Sequence, residues 1–188
     1  MEELVPHLLQ GATHAAPLLL GTLLVHDSPE GRTSGRIVEV EAYHQGDPAS
    51  HTFRGQTPRN ASMFKSAGHL YVYFTYGMHW CANIVAGKEG SGEGILIRAL
   101  EPLDGILLMQ ERRGTEKLTL LCSGPARAAQ AMGINKIHDG TWLGNGPLRL
   151  EGVPNSQPYL SGPRIGISQG AHEPLRFWLP NSPHLSRR

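Results

Sequence analysis

Two carboxylates and a phenol share one side of a short apolar stretch. In GRIVEVEAY (35–43), strand alternation puts Val38, Val40 and Ala42 on one face and Ile37, Glu39, Glu41 and Tyr43 on the other. The first face reads as core, and Glu39 reads as a solvated side chain. Glu41 differs, because Tyr43 shares its face and His51 follows after HQGDPAS (44–50). A carboxylate flanked by aromatic rings is partly desolvated, the setting a general base needs. A second signal is Arg98 inside GILIRAL (94–100). An arginine in an apolar run either snorkels or pairs with a carboxylate. Beside Glu41 it would orient a water or a phosphate. The third is Asn83, within HWCANIVA (79–86). A buried amide needs several hydrogen bonds, so Asn83 is either a satisfied core residue or a pocket floor that reads the edge of a ligand.

Aromatic residues make up only 6% of the chain, yet HLYVYFTYGMHW (69–80) holds Tyr71, Tyr73, Phe74, Tyr76 and Trp80. Alternation sends Leu70, Val72 and Phe74 to the core and Tyr71, Tyr73 and Thr75 to the other face, with Tyr76-Gly77 at a turn. Amphipathic tyrosines at the rim of a sandwich or barrel are one reading. The other is stacking on a flat ring, with a wedge at the turn tip. Proteins that unstack DNA push bulky side chains between base steps and hold an extruded base between aromatic faces. No lysine lies in 35–43 or 69–86, which argues against Schiff-base chemistry. GKEGSGEG (87–94) lacks the GK[ST] ending of a phosphate loop, and no GxSxG elbow or Ser-His-Asp arrangement occurs.

These residues need a sheet to hold them. Strands are expected at 35–43, 69–76, 79–86, 94–100, 163–168 and 175–179, and 15–25 is ambiguous between helix and strand. Thr57-Pro58 reads as the start of a short helix, Pro102 as the start of one reaching Arg112, and Ser123 as the cap of one reaching Met132 and ending at Gly133. The expected fold is α+β. It has a curved, mostly antiparallel sheet, a protruding hairpin and several short helices. With 188 residues, 23 Gly and 14 Pro, the chain fits one domain spanning 1–188, with an extension at 1–14 and a tail at 180–188. Charged residues are 18%, mean hydropathy is −0.27 and the net charge is +1, so a nucleic-acid partner would need a local arginine patch. Cys81 and Cys122 form no metal-binding or disulfide pattern, and buried free thiols are expected. No apolar run reaches membrane length and MEELVPHLLQ lacks a leader pattern, so a soluble cytoplasmic protein is expected.

The segments GRIVEVEAY, ASHTFRGQTPRNASMF, LYVYFTYGMHWCANIV, GILIRALEPLDG, SGPARAAQAMGINK and GPRIGIS…EPLRFW, in that order, resemble the alkyladenine (3-methyladenine) DNA glycosylase family of the type found in humans and many bacteria. The resemblance runs from about residue 15 to about 179. The helix-hairpin-helix glycosylases do not fit, since their Lys or Asp after a GPG hairpin is missing.

The resemblance implies an enzyme that flips damaged purines from duplex DNA and hydrolyses the N-glycosidic bond, without a cofactor or metal and probing DNA as a monomer. Its substrates would be 3-methyladenine and 7-methylguanine, with hypoxanthine a further candidate. Glu41 matches the general base, and Arg98 the arginine that holds the attacking water. The backbone carbonyl of Ile165 matches a third contact to that water. Tyr43, His51 and Tyr73 match the walls around the flipped base, and the His51 amide a donor to its edge. Asn83 matches the residue that crowds the 2-amino group of guanine. Tyr76 matches the side chain that fills the gap in the duplex, with Met78 beside it. Arg54, Arg59, Arg127 and Arg164, with the helix start at Ser123-Gly124, are candidates for phosphate contacts, and Arg187-Arg188 for nonspecific attraction. His79, Trp80 and Ser50 replace the Tyr, Phe and Ala of the human-type pattern, differences that bear on substrate breadth. Two other readings stand beside this one: a module that binds lesions without cleaving, and a small-molecule hydrolase built on Glu41 and Arg98.

Overall fold

In a computed structural model, which describes residues 1–75 and 77–186, eight strands form one antiparallel sheet. They are β1 (Leu23–Ser28), β2 (Gly31–Tyr43), β3 (Leu70–Thr75), β4 (His79–Ala86), β5 (Glu93–Pro102), β6 (Leu148–Glu151), β7 (Leu160–Gly162) and β8 (Arg176–Trp178). The main order is β3-β4-β5-β2-β1-β6, while β8 pairs with β2 and β7. Five short helices pack against it: α1 (Val5–Leu8), α2 (Ala12–Ala15), α3 (Ile106–Arg113), α4 (Leu118–Leu121) and α5 (Pro125–Ala131). This is the expected α+β arrangement of a single domain.

β2 is the spine. It pairs with β5 along one edge; on the other edge its first half takes β1 and its second half takes β8. The change of partner coincides with two bulges. Ile37 faces Leu100, Glu39 faces Ala99 and Val40 faces Ile97, so Val38 on β2 and Arg98 on β5 are the extra residues. The bulges shift the alternation. Ile37, Val40 and Ala42 enter the core, with Ile95, Ile97 and Leu100 opposite. Ile37 therefore leaves the polar face on which unbroken alternation had put it.

The core face of the sheet is filled by those residues with Leu70, Val72, Ala82 and Ile84, and covered by apolar residues of α1, α2 and α5. Leu4, Leu8 and Ala12 are fully buried in it, so one side of the 1–14 segment contributes to the core. Burying a leucine side chain stabilises by about 1.5–3 kcal/mol. Phe74 does not join this core. It is 42% exposed and packs on Trp80, with ring centroids 4.7 Å apart.

Several element boundaries differ from the sequence expectation. The helix expected at Thr57-Pro58 is replaced by a turn and a 3-10 helix at Ala61–Phe64, because the Thr57 amide donates to Asn60 Oδ1 (2.6 Å) instead of Thr57 capping a helix. Pro102 ends β5, and α3 begins only after Gly105, whose φ of 71° breaks the chain direction. α5 starts at Pro125 after Gly124, and Ser123 makes no cap; its hydroxyl accepts from Arg127 (3.2 Å). Residues 15–25 split into a 3-10 turn at Ala16–Leu19 and the start of β1. Residues 163–168 form a loop, and the neighbouring strand is Leu160–Gly162. Both cysteines are buried and free, and burial pushes the Cys122 thiol up to about 12. No helix among the described residues is long and apolar enough to cross a membrane.

Candidate active site

The face of the sheet opposite the core carries the polar residues in rows. Glu41 is opposite Leu96, Leu96 opposite Asn83, and Asn83 opposite Tyr71, so one line crosses β2, β5, β4 and β3. Residues directly opposite on neighbouring strands share a face. Tyr73 and Cys81 form the next pair. Above these rows lies a cavity of about 360 Å³ whose lining includes Tyr43, His51, Tyr73, Asn83, Arg98 and Ile165. That volume falls in the range of small-ligand sites. The structure thus gathers all seven expected catalytic and pocket residues around one place, with Glu41 behind the wall.

Glu41 is fully buried. Its Oε2 accepts from the Tyr43 hydroxyl (2.8 Å) and from Arg98 Nη1 (3.1 Å). Its Oε1 accepts from the Ile165 amide (2.7 Å). The expected contact at Ile165 was its carbonyl; here it is the N–H, and it meets the carboxylate itself. Three donors on one carboxylate hold it as an acceptor and fix its orientation.

Arg164 is not a surface residue. It is 4% exposed, ion-paired with Asp47, and donates to the Ala42 carbonyl (3.0 Å). Its guanidinium lies 4.6 Å from the Tyr43 ring centroid. A phosphate contact is thereby excluded for it. Instead it ties the 163–168 loop to β2 and braces Tyr43 from behind. Burial first, and the Glu41 charge second, push the Tyr43 phenol well above its ordinary value, so it stays a donor to Glu41.

The opposite wall is His51, Tyr71 and Tyr73. The His51 ring meets Tyr73 edge-on at 4.5 Å, and its Nδ1 lies 3.2 Å from the Tyr71 hydroxyl. Tyr71, expected on the same face as Tyr73, is 1% exposed and stacks on it at 5.5 Å. Burial raises the Tyr71 phenol to about 12. His51 is exposed at the mouth, but its pocket side is crowded. That desolvation, and secondarily the Arg59 charge, lower its pKa below the ordinary value. Asn83 makes one long hydrogen bond to the Tyr71 carbonyl, 3.5 Å.

Two residues with structural parts in the site escaped sequence reasoning. Asn60 is 3% exposed and donates to the carbonyls of His51 (2.9 Å) and Gly55 (3.1 Å), which holds the His51 loop. Its signal was an Asn ahead of an apolar turn in TPRNASMF. Glu39, expected to be solvated, has no exposed surface. It pairs with Arg98 (3.2 Å) and Arg176 (2.7 Å). The signal there was the i, i+2 spacing of Glu39 and Glu41, which gives both the same face.

Outside the cavity, Met78 is 69% exposed in the β3–β4 turn, and Tyr76 lies outside the described residues, as do Arg187 and Arg188. Arg54, Arg59 and Arg127 are exposed. Arg59 donates to the Phe74 carbonyl (3.0 Å), which links the loop after His51 to the hairpin. Among the described residues, no group of three or more His, Cys, Asp or Glu could hold a metal ion.

Three histidines, His51, His138 and His184, sit below their ordinary pKa, each chiefly through burial. As pH falls, the unfolded chain takes up these protons before the folded one. Stability therefore rises with pH from each folded value up to the ordinary histidine value, and is lost on the acid side. Urea unfolding should show a lower midpoint at about pH 5 than at about pH 7.5, and His138→Gln should flatten part of that slope. A midpoint independent of pH over this range contradicts the expectation.

The model of the methylpurine-DNA glycosylase family matches residues 7–183. A protein of Methanoculleus marisnigri is 52% identical over 175 residues, covering 90% of this chain and 91% of its own. One from Rhodopseudomonas palustris is 50% identical over 173 residues, covering 92% and 84%. One from Agrobacterium fabrum is 51% identical over 158 residues, covering 84% and 80%. All three bear the name "Putative 3-methyladenine DNA glycosylase". A match of this length, over the same segments that build the cavity, shows that the chain belongs to the methylpurine-DNA glycosylase family.

Proposed function

We propose that this protein is a monofunctional DNA N-glycosylase that removes 3-methyladenine and 7-methylguanine from duplex DNA, with hypoxanthine as a slower substrate. The observation that carries this is a buried carboxylate, Glu41, fixed by three donors beside an aromatic-walled cavity. The names of the relatives point to the same lesion class.

The target bond lies inside the helix, so the nucleotide must rotate out, at a cost of a few kcal/mol that is smaller for damaged bases. Met78, in the β3–β4 turn, and Tyr76, two residues before it in sequence, would occupy the vacated space. Arg54, Arg59 and Arg127 would contact phosphates. In the cavity the base would lie between Tyr43 on one side and His51 and Tyr73 on the other. Alkylation at N3 or N7 leaves the ring positively charged, and each aromatic face favours such a ring by ~0.5–2 kcal/mol. Asn83, on the floor, would crowd the 2-amino group of a normal guanine.

Water then attacks C1′ as the C1′–N bond breaks. The bonding electrons leave with the base, and the water proton goes to Glu41. Oε1 is the acceptor for this step, because it carries a single hydrogen bond, from Ile165, whereas Oε2 carries two. Arg98 holds the carboxylate and, with it, the water. An alkylated purine leaves as a neutral molecule and needs no acid. Hypoxanthine needs a proton on its ring, which is why it should be slower. No covalent amine step is involved, so the product is an abasic site in an unbroken strand, made by a monomer acting on the chromosome in the cytoplasm.

The test is release of bases from methylated and hypoxanthine-containing duplexes, side by side. The methylated bases should be released faster, with strands intact until alkali is added. No release from either duplex, or strand cutting without alkali, refutes the proposal. Release of a nucleoside substrate without salt-sensitive duplex binding would favour the small-molecule hydrolase instead.

A further inference from the structure

Arg98 touches the proposed base with one nitrogen, and its other edge is held by residues outside the cavity lining, one of them 88 positions away in sequence. Nη1 goes to Glu41. Nε donates to Glu39 Oε1 (3.2 Å), and both Nε and Nη2 lie 3.3 Å from Ser186 Oγ. Ser186 in turn donates twice to Glu39, from its hydroxyl to Oε1 (2.7 Å) and from its amide to Oε2 (2.6 Å). Arg176 Nε completes the set at 2.7 Å. The serine hydroxyl thus gives its proton to Glu39 and turns its lone pairs to the arginine.

The segment that carries Ser186 leaves β8 next to the bulge in β2. The Leu179 amide donates to the carbonyl of the bulged Val38 (3.0 Å), which starts the segment after β8 across the end of the sheet. His184, two residues before Ser186, is 6% exposed.

We infer that Ser186 is a positioning residue for the reaction: with Glu39 it clamps the far edge of the Arg98 guanidinium and so aims Nη1 at Glu41. The tail is part of the active site. A guanidinium is flat, and its donors point along fixed directions. With only the Glu41 contact it would pivot about that bond. With Nε and Nη2 fixed on the other edge, it cannot. This inference rests on the glycosylase reading for its kinetic effect, but the clamp itself is observable without turnover.

The experiment compares wild type with Ser186→Ala and Ser186→Thr, each in the Arg98 and the Arg98→Lys background. Single-turnover release of methylated bases is read together with affinity for a duplex holding an abasic analogue. Ser186→Ala should slow release about tenfold, the effect of one hydrogen bond to a charged group, with duplex affinity unchanged. Ser186→Thr keeps the hydroxyl and should restore the rate. In the Arg98→Lys background Ser186→Ala should change nothing further, because the serine acts through the arginine. Additive losses, or a wild-type rate for Ser186→Ala, overturn the clamp. A second readout is proton exchange at Arg98 Nε, slow in the wild type and at least about tenfold faster in Ser186→Ala, since one of its two acceptors is gone. If exchange behaves so but no base is released by the wild type, the glycosylase reading fails and the clamp stands. If base is released and exchange is unaltered, the clamp fails alone.

Discussion

Glu41→Gln should lose base release by ~10³-fold or more while still binding a duplex that holds an abasic analogue. General-base assistance contributes about 10²–10⁴-fold, and in the proposed reaction the same carboxylate would also stabilise the cation that develops on the sugar. The amide cannot take the water proton and carries no charge. The fold should tolerate the change with a modest loss. A glutamine oxygen can still accept from Tyr43 and Arg98 at the Oε2 position, while its NH₂ meets the Ile165 amide, a donor facing a donor. That mismatch costs about 1–3 kcal/mol. Single-turnover release and equilibrium binding, measured on the same duplexes, separate the two effects. Equal release by mutant and wild type removes Glu41 from the mechanism. Loss of neither base from the wild type, with binding intact, would instead support a module that docks lesions without cleaving them.

Arg98→Met should be the most destabilising single change in the site. Glu39 and Glu41 are both fully buried, and Arg98 is the cation they share. Removing one partner of a buried ion pair leaves an uncompensated charge and costs about 3–5 kcal/mol. Glu39 keeps Arg176 and Ser186, so most of the loss should fall on Glu41. It follows that Glu41→Gln added to Arg98→Met should restore stability without restoring activity. Urea unfolding of the two single variants and the double variant checks this. A double variant no more stable than Arg98→Met shows that the loss arises from packing of the arginine stem rather than from charge.

Much of the site could be read from alternation. Glu41, Asn83 and Tyr73 lie on stretches whose faces follow a period of two, and local pattern is enough to place them. What alternation cannot supply is a bulge. Val38 and Arg98 each add a residue to their strand, so Ile37 and Leu100 change phase relative to the residues beyond them. Glu39 looked solvated because its partners, Arg176 and Ser186, lie 137 and 147 residues away. Arg164 looked like a surface cation for the same reason: its partner Asp47 is distant in sequence. The loop at 163–168 has the alternation of a strand, PRIGIS, but Gly166 takes a φ of 77°, which a strand cannot use. α3 starts later than Pro102 suggested because Gly105, not the proline, sets its boundary.

The cavity's two walls differ in how the chain holds them. The Glu41 side stands on β2, where Glu41 has Leu96 on one side and Arg176 on the other, both in regular pairing. Amides there open to solvent only when the whole sheet does. In the opposite wall Tyr71 and Tyr73 stand on β3, but His51 hangs on a loop whose turns are secured by Asn60 and by Asp47, and such segments open locally at lower free energy. Amide protection should therefore divide the site in two, with β2 and β5 exchanging last and residues 44–59 first. The Glu41 side of the cavity is thus held by strand pairing that forms with the sheet, and the His51 side by a loop expected to open more readily.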